Sequence, residues 1–328
     1  MAPPSHPRRQ LPDLDTLDAY LAVYSSGSMT VAAQQFGQTQ SAMSRQIARL
    51  ESQLGVQLFE RHSRPLVPTA AGRRLAEAAE SLMSQAAALK SEVAELDGRP
   101  MTRLRLGVVD SLSDPLVPEL IRSTRHLITI VSVMTGFVGP LRHKLIKHEL
   151  DALISADALD DQDGFDRHEI LGEQFVVLAP RGDPPFHDED SFRRFASTAP
   201  MIRSSASTGI AQRIEQQFRR TRLVVPEGFS CDTIDSIVSF VAADLGWTIL
   251  TPTCLRKCVG QMPFLQVLPL PGIGFSRRIY LVVRENELDN VKPLLTDASR
   301  DIIRRKYLPS LNAIAPWLAE AVTIAPRA

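Results

Sequence analysis

Four polar side chains crowd the start of one predicted helix: Gln40, Ser41, Ser44 and Arg45. Their chemistry matches the edges of DNA bases. Arginine offers paired donors to guanine O6 and N7, glutamine matches adenine N6 and N7, and serine serves either. A helix entering the major groove end-first shows its first two turns to the bases, which is where these groups lie. Nearby are groups suited to phosphate: the hydroxyls of Ser28, Thr30 and Thr39 and the guanidiniums of Arg49, Arg61 and Arg64. The expected partner is double-stranded DNA.

A second chemistry appears further along. Asp110-Ser111-Leu112-Ser113-Asp114 and Ser204-Ser205-Ala206-Ser207-Thr208-Gly209 read as hydroxyl-rich loops ahead of helices, and Arg203 adds charge beside the second. Hydroxyls beside unpaired helix-start amides suit a small anion such as a carboxylate. Cys254 and Cys258, one helical turn apart around Arg256 and Lys257, leave a redox-sensing role open. No nucleophile elbow, phosphate loop or zinc-protease helix occurs, and His143 and His148 are spaced wrongly for one helix face. Neither enzymatic activity, nor a cofactor, nor a metal is expected.

The elements that must carry these groups are legible. Leu14, Leu17, Leu21 and Tyr24 recur at helical spacing, and Gly27 stops the run. Ser28 reads as the cap of a short second helix that ends near Gly37. A third runs from Gln40 to Leu54, with Met43, Ile47, Leu50 and Leu54 as one buried stripe. The extended segment Leu58 to Val67 then folds back as a wing. From Gly37 to Leu75, six arginines face only Glu51 and Glu60, although the whole chain balances 37 basic against 37 acidic residues. Local basicity, rather than net charge, is what a DNA-facing module needs.

Leu75, Leu82, Leu89 and Leu96 repeat every seven residues, with Ala79, Ala86 and Val93 offset by four. Such a seam predicts a long helix, capped by Thr69, that pairs with a second copy of the chain. Asp97-Gly98-Arg99-Pro100 breaks it. Beyond, Leu104, Leu106 and Val108 alternate with Arg103, Arg105 and Gly107. Helical character over Leu116–Leu127 and Leu141–Glu149 alternates with strand character over Ile128–Met134, Ala152–Ser155 and Phe175–Ala179. This rhythm predicts a mostly parallel sheet flanked by helices.

With 328 residues, 44% hydrophobic and 23% charged, the chain has room for two or three cores. Its longest uncharged run, Leu127 to Leu141, is too short to span a bilayer. The opening MAPPSHPRRQLPDLD has no apolar core, so no secretory leader is expected. Three cysteines in so long a chain point to a reducing, cytoplasmic setting without a disulfide framework.

The stretch from Leu17 to Leu75 resembles the winged helix-turn-helix of LysR-type transcriptional regulators, most specifically in SMTVAAQQFGQTQSAMSRQIARLE and in GVQLFER with TAAG after it. The resemblance implies base reading by Gln40, Ser44 and Arg45, dimerisation through the long helix, and a homodimer or homotetramer that works with RNA polymerase. Ser41 replaces the family's usual proline, and Pro68 stands where leucine is common. KLIKHELDALIS and IDSIVSFVAADLGWTILTP are similar to the family's effector domain, an α/β fold with two lobes like periplasmic binding proteins. The implied organisation is a flexible tail (1–12), the winged domain (13–69), a linker helix (70–98) and an effector domain (99–328). In that domain, lobe one comprises 101–171 plus 276–328 and lobe two 172–275. The candidate cleft residues are Ser111, Ser113, Val138, Arg203, Ser204, Ser205 and Thr208, with Phe137, Phe229 and Trp247 open between aromatic walls and, the favoured role, core packing. Val138 replaces a frequent serine or threonine and Asp244 a common glycine. Some peroxide-sensing members use cysteine pairs, which keeps Cys254 and Cys258 as an alternative trigger.

Overall fold

The computed structural model describes residues 11–60, 65–95, 101–205, 208–272 and 274–326. Most of the expected tail and the expected break at 97–100 lie outside the described residues. The chain divides into two units, residues 1–98 and 99–328.

In the first unit, α1 (Leu14–Ser26), α2 (Met29–Gln35) and α3 (Gln40–Leu54) surround a small core. Each start is capped by the oxygen of the preceding side chain: Asp13, Ser28 and Thr39 accept from the amides of Thr16, Val31 and Ala42. Gly27 and Gly55 end α1 and α3 in the left-handed conformation that glycine adopts without steric cost. Tyr20, Val23, Ala32, Met43, Ile47 and Leu50 fill the core. Leu54 departs from the predicted stripe: at the last turn of α3 it lies beyond the core and is 38% exposed. After the wing, α4 (Ala70–Glu95) runs for 26 residues.

The second unit has three sheets among the described residues. Lobe one is built on β1 (Met101–Val109), β2 (Ile128–Gly136), β3 (Ala152–Ser155), β4 (Phe165–Gln174), β10 (Ser276–Arg284) and β11 (Val322–Ile324), in the order β11-β4-β10-β3-β1-β2. Its helices are α5 (Asp110–Thr124), α6 (Val138–Ile146), α10 (Lys292–Ile302) and α11 (Leu308–Ile314). Lobe two carries β8 (Thr248–Leu250), β5 (Val176–Pro180) and β9 (Leu265–Pro269) as one sheet, and β6 (Met201–Ser204) with β7 (Glu227–Cys231) as another. A bridge from Met201 to Trp247 links the two. Around them lie α7 (Glu189–Thr198), α8 (Gly209–Thr221), α9 (Ile234–Ala242) and a 3-10 stretch, Pro252–Phe264.

Two expectations change. The sheets are mixed rather than mostly parallel: β1 pairs in parallel with β2 and β3, but β10 runs antiparallel to both β3 and β4. The chain leaves lobe one through β4 and returns through β10 beside it, so a double crossing imposes the reversal. In addition, Asp110 to Asp114 form the first turns of α5 instead of a loop, because the chain turns directly from β1 into the helix.

Candidate nucleic-acid interface and small-molecule cleft

The recognition helix shows its polar side outward. Gln40, Ser41 and Arg45 are exposed and Ser44 is half-buried, while Met43, Ile47 and Leu50 on the other side are at most 2% exposed. Arg45 donates from Nε to the Ser41 carbonyl at 3.3 Å, which leaves its terminal nitrogens for other partners. Thr30, Thr39 and Arg49 are exposed, and Ser28 is half-buried as the cap of α2.

The wing is fastened at several points. Phe59 bridges to Pro68, Glu60 N–H donates to the Val67 carbonyl at 2.9 Å, and Leu66 N–H reaches the Gly27 carbonyl at 2.9 Å. Glu51, on α3, accepts from the amides of Leu58 at 2.7 Å and Phe59 at 3.4 Å, so one carboxylate ties the recognition helix to the wing. Nothing in the local sequence pattern marks Glu51 for this task. Thr69 caps α4 by accepting from Gly72 N–H at 3.0 Å. The buried Tyr20 hydroxyl donates to the Gly72 carbonyl at 2.6 Å, and burial, then the neighbouring Tyr24, raises the pKa of that phenol. Gly72 is required sterically, since a Cβ there would lie 2.2 Å from the Leu58 carbonyl oxygen. Arg61 and Arg64 lie outside the described residues.

The predicted seam on α4 divides. Leu75 packs on the first unit's core beside Ala76, and Ala79 is fully buried within the chain. Ala79 therefore has no free surface to offer a second copy, whereas Leu75 is half-buried and keeps part of its surface open. Leu82 and Leu89 are 49% and 61% exposed, and Ala86 is half-buried. Val93 belongs to α4, and Leu96 lies outside the described residues.

Between the lobes is a cavity of about 60 Å³. Four helices begin at it: α5 with Asp110 and Ser111, α6 with Phe137 and Val138, α8 with Thr208 and Gly209, and α9 with Asp232 and Ile234. Thr208 and Thr233 cap α8 and α9, but Val109 and Phe137 give α5 and α6 no side-chain cap. Asp110 already places a carboxylate in the first turn of α5, whereas α6 has neither a cap nor an acidic residue in its first turn, and its positive dipole end favours an anion. Beneath these helix starts a buried knot joins the lobes. Arg277 donates from Nε to Glu173 at 2.7 Å and from Nη2 to Ser111 at 3.0 Å and to Thr251 and Thr253 at 2.9 Å. Burial, the largest influence, pulls the Arg277 pKa down, but the charge and hydrogen bond of Glu173 together with the neighbouring Cys254 and Tyr307 leave it raised. At the cleft's edge, Lys257 from lobe two reaches Asp110 of lobe one at 2.9 Å and Asp235 at 3.2 Å. Burial likewise opposes its charge, and the two carboxylates raise its pKa overall.

Of the expected cleft residues, Ser111, Phe137, Val138, Ser204 and Thr208 line the cavity. Five do not. Ser113 turns its hydroxyl back to the Asp110 carbonyl at 2.8 Å, and Ser205 N–H is used by the Cys231 carbonyl at 3.0 Å. Arg203 is consumed inside lobe two by Glu215, the Val225 carbonyl and the face of Phe218. Phe229 is 44% exposed on β7, packed edge-on to Phe240. Trp247 is core, 1% exposed, between Phe192 and Phe195. Sequence reasoning missed Arg277, Val109, Gly136, Ala156, Ile210, Asp232 and Ile234. For Ile234 a signal existed, the Thr233 cap; for Arg277 there was none, because its partner is 104 positions away. Asp244, in place of a glycine, adopts φ +60 at the turn after α9.

All three cysteines are free and buried, with Cys254 and Cys258 fully so. Burial first, then Cys254 and Asp235, pushes the Cys258 thiol up to about 12, and burial also raises that of Cys254. Among the described residues no group of three or more potential metal ligands occurs, and no helix is long and apolar enough to cross a membrane.

Residues 14–73 match the bacterial regulatory helix-turn-helix domain of the lysR family, and residues 97–300 match the LysR substrate binding domain. The chain belongs to the LysR family. This LysR-type regulator is 36% identical over 306 residues to a probable hydrogen peroxide-inducible genes activator of Streptomyces viridosporus, covering 90% of this chain and 97% of that one. It is 35% identical over 257 residues to the regulator CbbR of Sinorhizobium medicae, covering 76% and 81%. Full-length CbnR bound to its target DNA shares the fold, with a TM-score of 0.64, 16% identity and coverage of 89% and 100%. So does a full-length OxyR variant from Pseudomonas aeruginosa, with 0.61, 20% identity and coverage of 88% and 97%. The LysR-type chain therefore combines a DNA-binding helix-turn-helix with an effector-binding domain.

Proposed function

We propose that this LysR-type regulator reads operator DNA in the cytoplasm as a homodimer or homotetramer, and that a small carboxylate entering the interlobe cleft alters its grip on the operator and on RNA polymerase. The observation that carries the reading is the uncapped start of α6 at an otherwise largely apolar cavity. At about 60 Å³ the cavity holds only a few water molecules. A metabolite enters only when the lobes part, and parting breaks the Lys257–Asp110 pair. The two states then differ in contacts, as any ligand-driven shift requires.

On the DNA side, Gln40, Ser41, Ser44 and Arg45 read bases, and Ser28, Thr30, Thr39, Arg49, Arg61 and Arg64 hold phosphates. Nuclease footprinting on the chain's own promoter tests this. Arg45→Ala is expected to relax the preference at one base position at a cost of about 1–3 kcal/mol. Arg49→Ala is expected to weaken all sequences alike and to lower the salt slope by about one. An Arg45→Ala chain with unchanged base preference overturns the assignment.

Small-molecule control is favoured over thiol control because a reactive thiol needs exposure and a lowered pKa. Cys254 and Cys258 have the reverse on both counts. Operator affinity that is unchanged by peroxide, and by Cys254→Ser with Cys258→Ser, is the expected result; a peroxide response lost in that double variant would reverse the preference.

A further inference from the structure

Lobe two holds a groove of about 300 Å³ that shares no lining residue with the interlobe cavity. It lies between α7, α8 and the segment leading into β10. Phe192, Phe218 and Ile249, all below 10% exposed, form its floor, and Phe275 forms a wall. Its volume reaches the lower end of the range for small-molecule pockets, roughly 300–1,000 Å³, whereas the interlobe cavity does not.

The charges at its rim are uneven. Arg193 is already engaged, paired with Glu189 at 3.3 Å and donating to the Thr221 carbonyl at 3.2 Å. The Arg220 side chain is exposed and makes no hydrogen bond or ion pair among the described residues. The groove therefore offers phenyl rings for a flat apolar body and one unmatched guanidinium for an anionic tip. Its position also matters. Phe275 directly precedes β10, stacks on Phe175 at 4.1 Å, and its carbonyl accepts Phe175 N–H at 3.1 Å. Phe175 directly follows β4, so the stacked pair sits where the chain crosses between lobes. An occupant of the groove rests against that crossing.

We propose that this groove is a second small-molecule site, which takes an apolar monocarboxylate with its ring against Phe192, Phe218 and Phe275 and its carboxylate on Arg220. The test is calorimetric titration of the full chain with 3-phenylpropionate, with 3-phenylpropanol as the uncharged counterpart. The acid is expected to saturate the protein below about 10 mM and the alcohol to bind about tenfold more weakly. Arg220→Gln, a surface change, should bring the acid's affinity down to that of the alcohol. Leu223→Trp, which fills the groove, should abolish binding, and Val138→Trp, which plugs the interlobe cavity, should leave it intact. Binding that disappears in Val138→Trp but survives Arg220→Gln overturns the proposal, as does a wild-type chain that fails to saturate.

Discussion

Glu173 is the residue whose loss has the most clearly derivable cost. Its side chain is fully buried, and both oxygens are used: Oε1 accepts from Arg277 Nε at 2.7 Å and from the Thr253 hydroxyl at 2.8 Å, and Oε2 accepts from Thr253 N–H at 2.9 Å. Glu173→Gln keeps the shape but removes the charge that balances Arg277. Arginine does not give up its proton in proteins, so the variant retains an uncompensated buried cation. Breaking one side of such a pair costs about 3–5 kcal/mol. For a unit spanning residues 99–328, each kcal/mol moves the thermal midpoint by about 2–4 °C, which gives a fall of about 6–20 °C. Differential scanning calorimetry of the full chain reads it in the transition of the larger unit. Glu173→Leu combined with Arg277→Met removes both charges and should recover most of the loss, because two well-packed apolar residues often replace a buried pair at little net cost. A Glu173→Gln midpoint within about 2 °C of wild type, or a double variant worse than the single one, would refute the reasoning.

Other outcomes follow from the same geometry. Leu82→Asp with Leu89→Asp should yield single chains by sedimentation, since these are the exposed leucines of α4; a mass of two chains would show that pairing lies elsewhere. Gly72→Ala drives a Cβ toward the Leu58 carbonyl at 2.2 Å, and overpacking of that kind costs about 1–3 kcal/mol. The first unit's unfolding transition should fall accordingly, and an unmoved transition counts against the close approach. Burial, then Arg284, lowers the His148 pKa, and burial lowers that of His168. Their contribution to stability is complete above the unfolded histidine value of about 6.5 and is lost as pH falls through the depressed native values. The thermal midpoint should therefore drop between about pH 7 and 5. His148→Asn, which tolerates the φ of +59 there, should flatten the drop. An unchanged slope would remove His148 from the account.

The DNA-binding module was readable because its signals are local: a capping hydroxyl at Ser28, a glycine stop at Gly27 and Gly55, and apolar spacing from Met43 to Leu50. The seam on α4 was only half readable. A repeat of seven marks a face to be buried but does not say by what, so Ala79 looked like Ala86 until the fold covered it from within, with Leu75 half-covered beside it. In the effector domain, serines next to helix starts found part of the cleft, whereas Arg203 misled because nothing nearby in sequence announced that Glu215 would claim it. Arg277, Glu173 and Lys257 could not be found at all. Each depends on partners brought together by the double crossing between lobes, a property of the path rather than of any window along it.

The root of α4 has a mechanical consequence. Since Leu75 and Ala76 belong to the same packed cluster as the recognition helix, and Tyr20 locks onto Gly72, the long helix enters that body without a joint. It behaves as the handle of a rigid tool. At about 1.5 Å per residue, its 26 residues make a lever close to 40 Å long. A tilt of about 5° about the far end carries the module about 3.5 Å, close to the spacing of one step along duplex DNA. A swing too small to repack any core is thus enough to move α3 from one base pair to its neighbour.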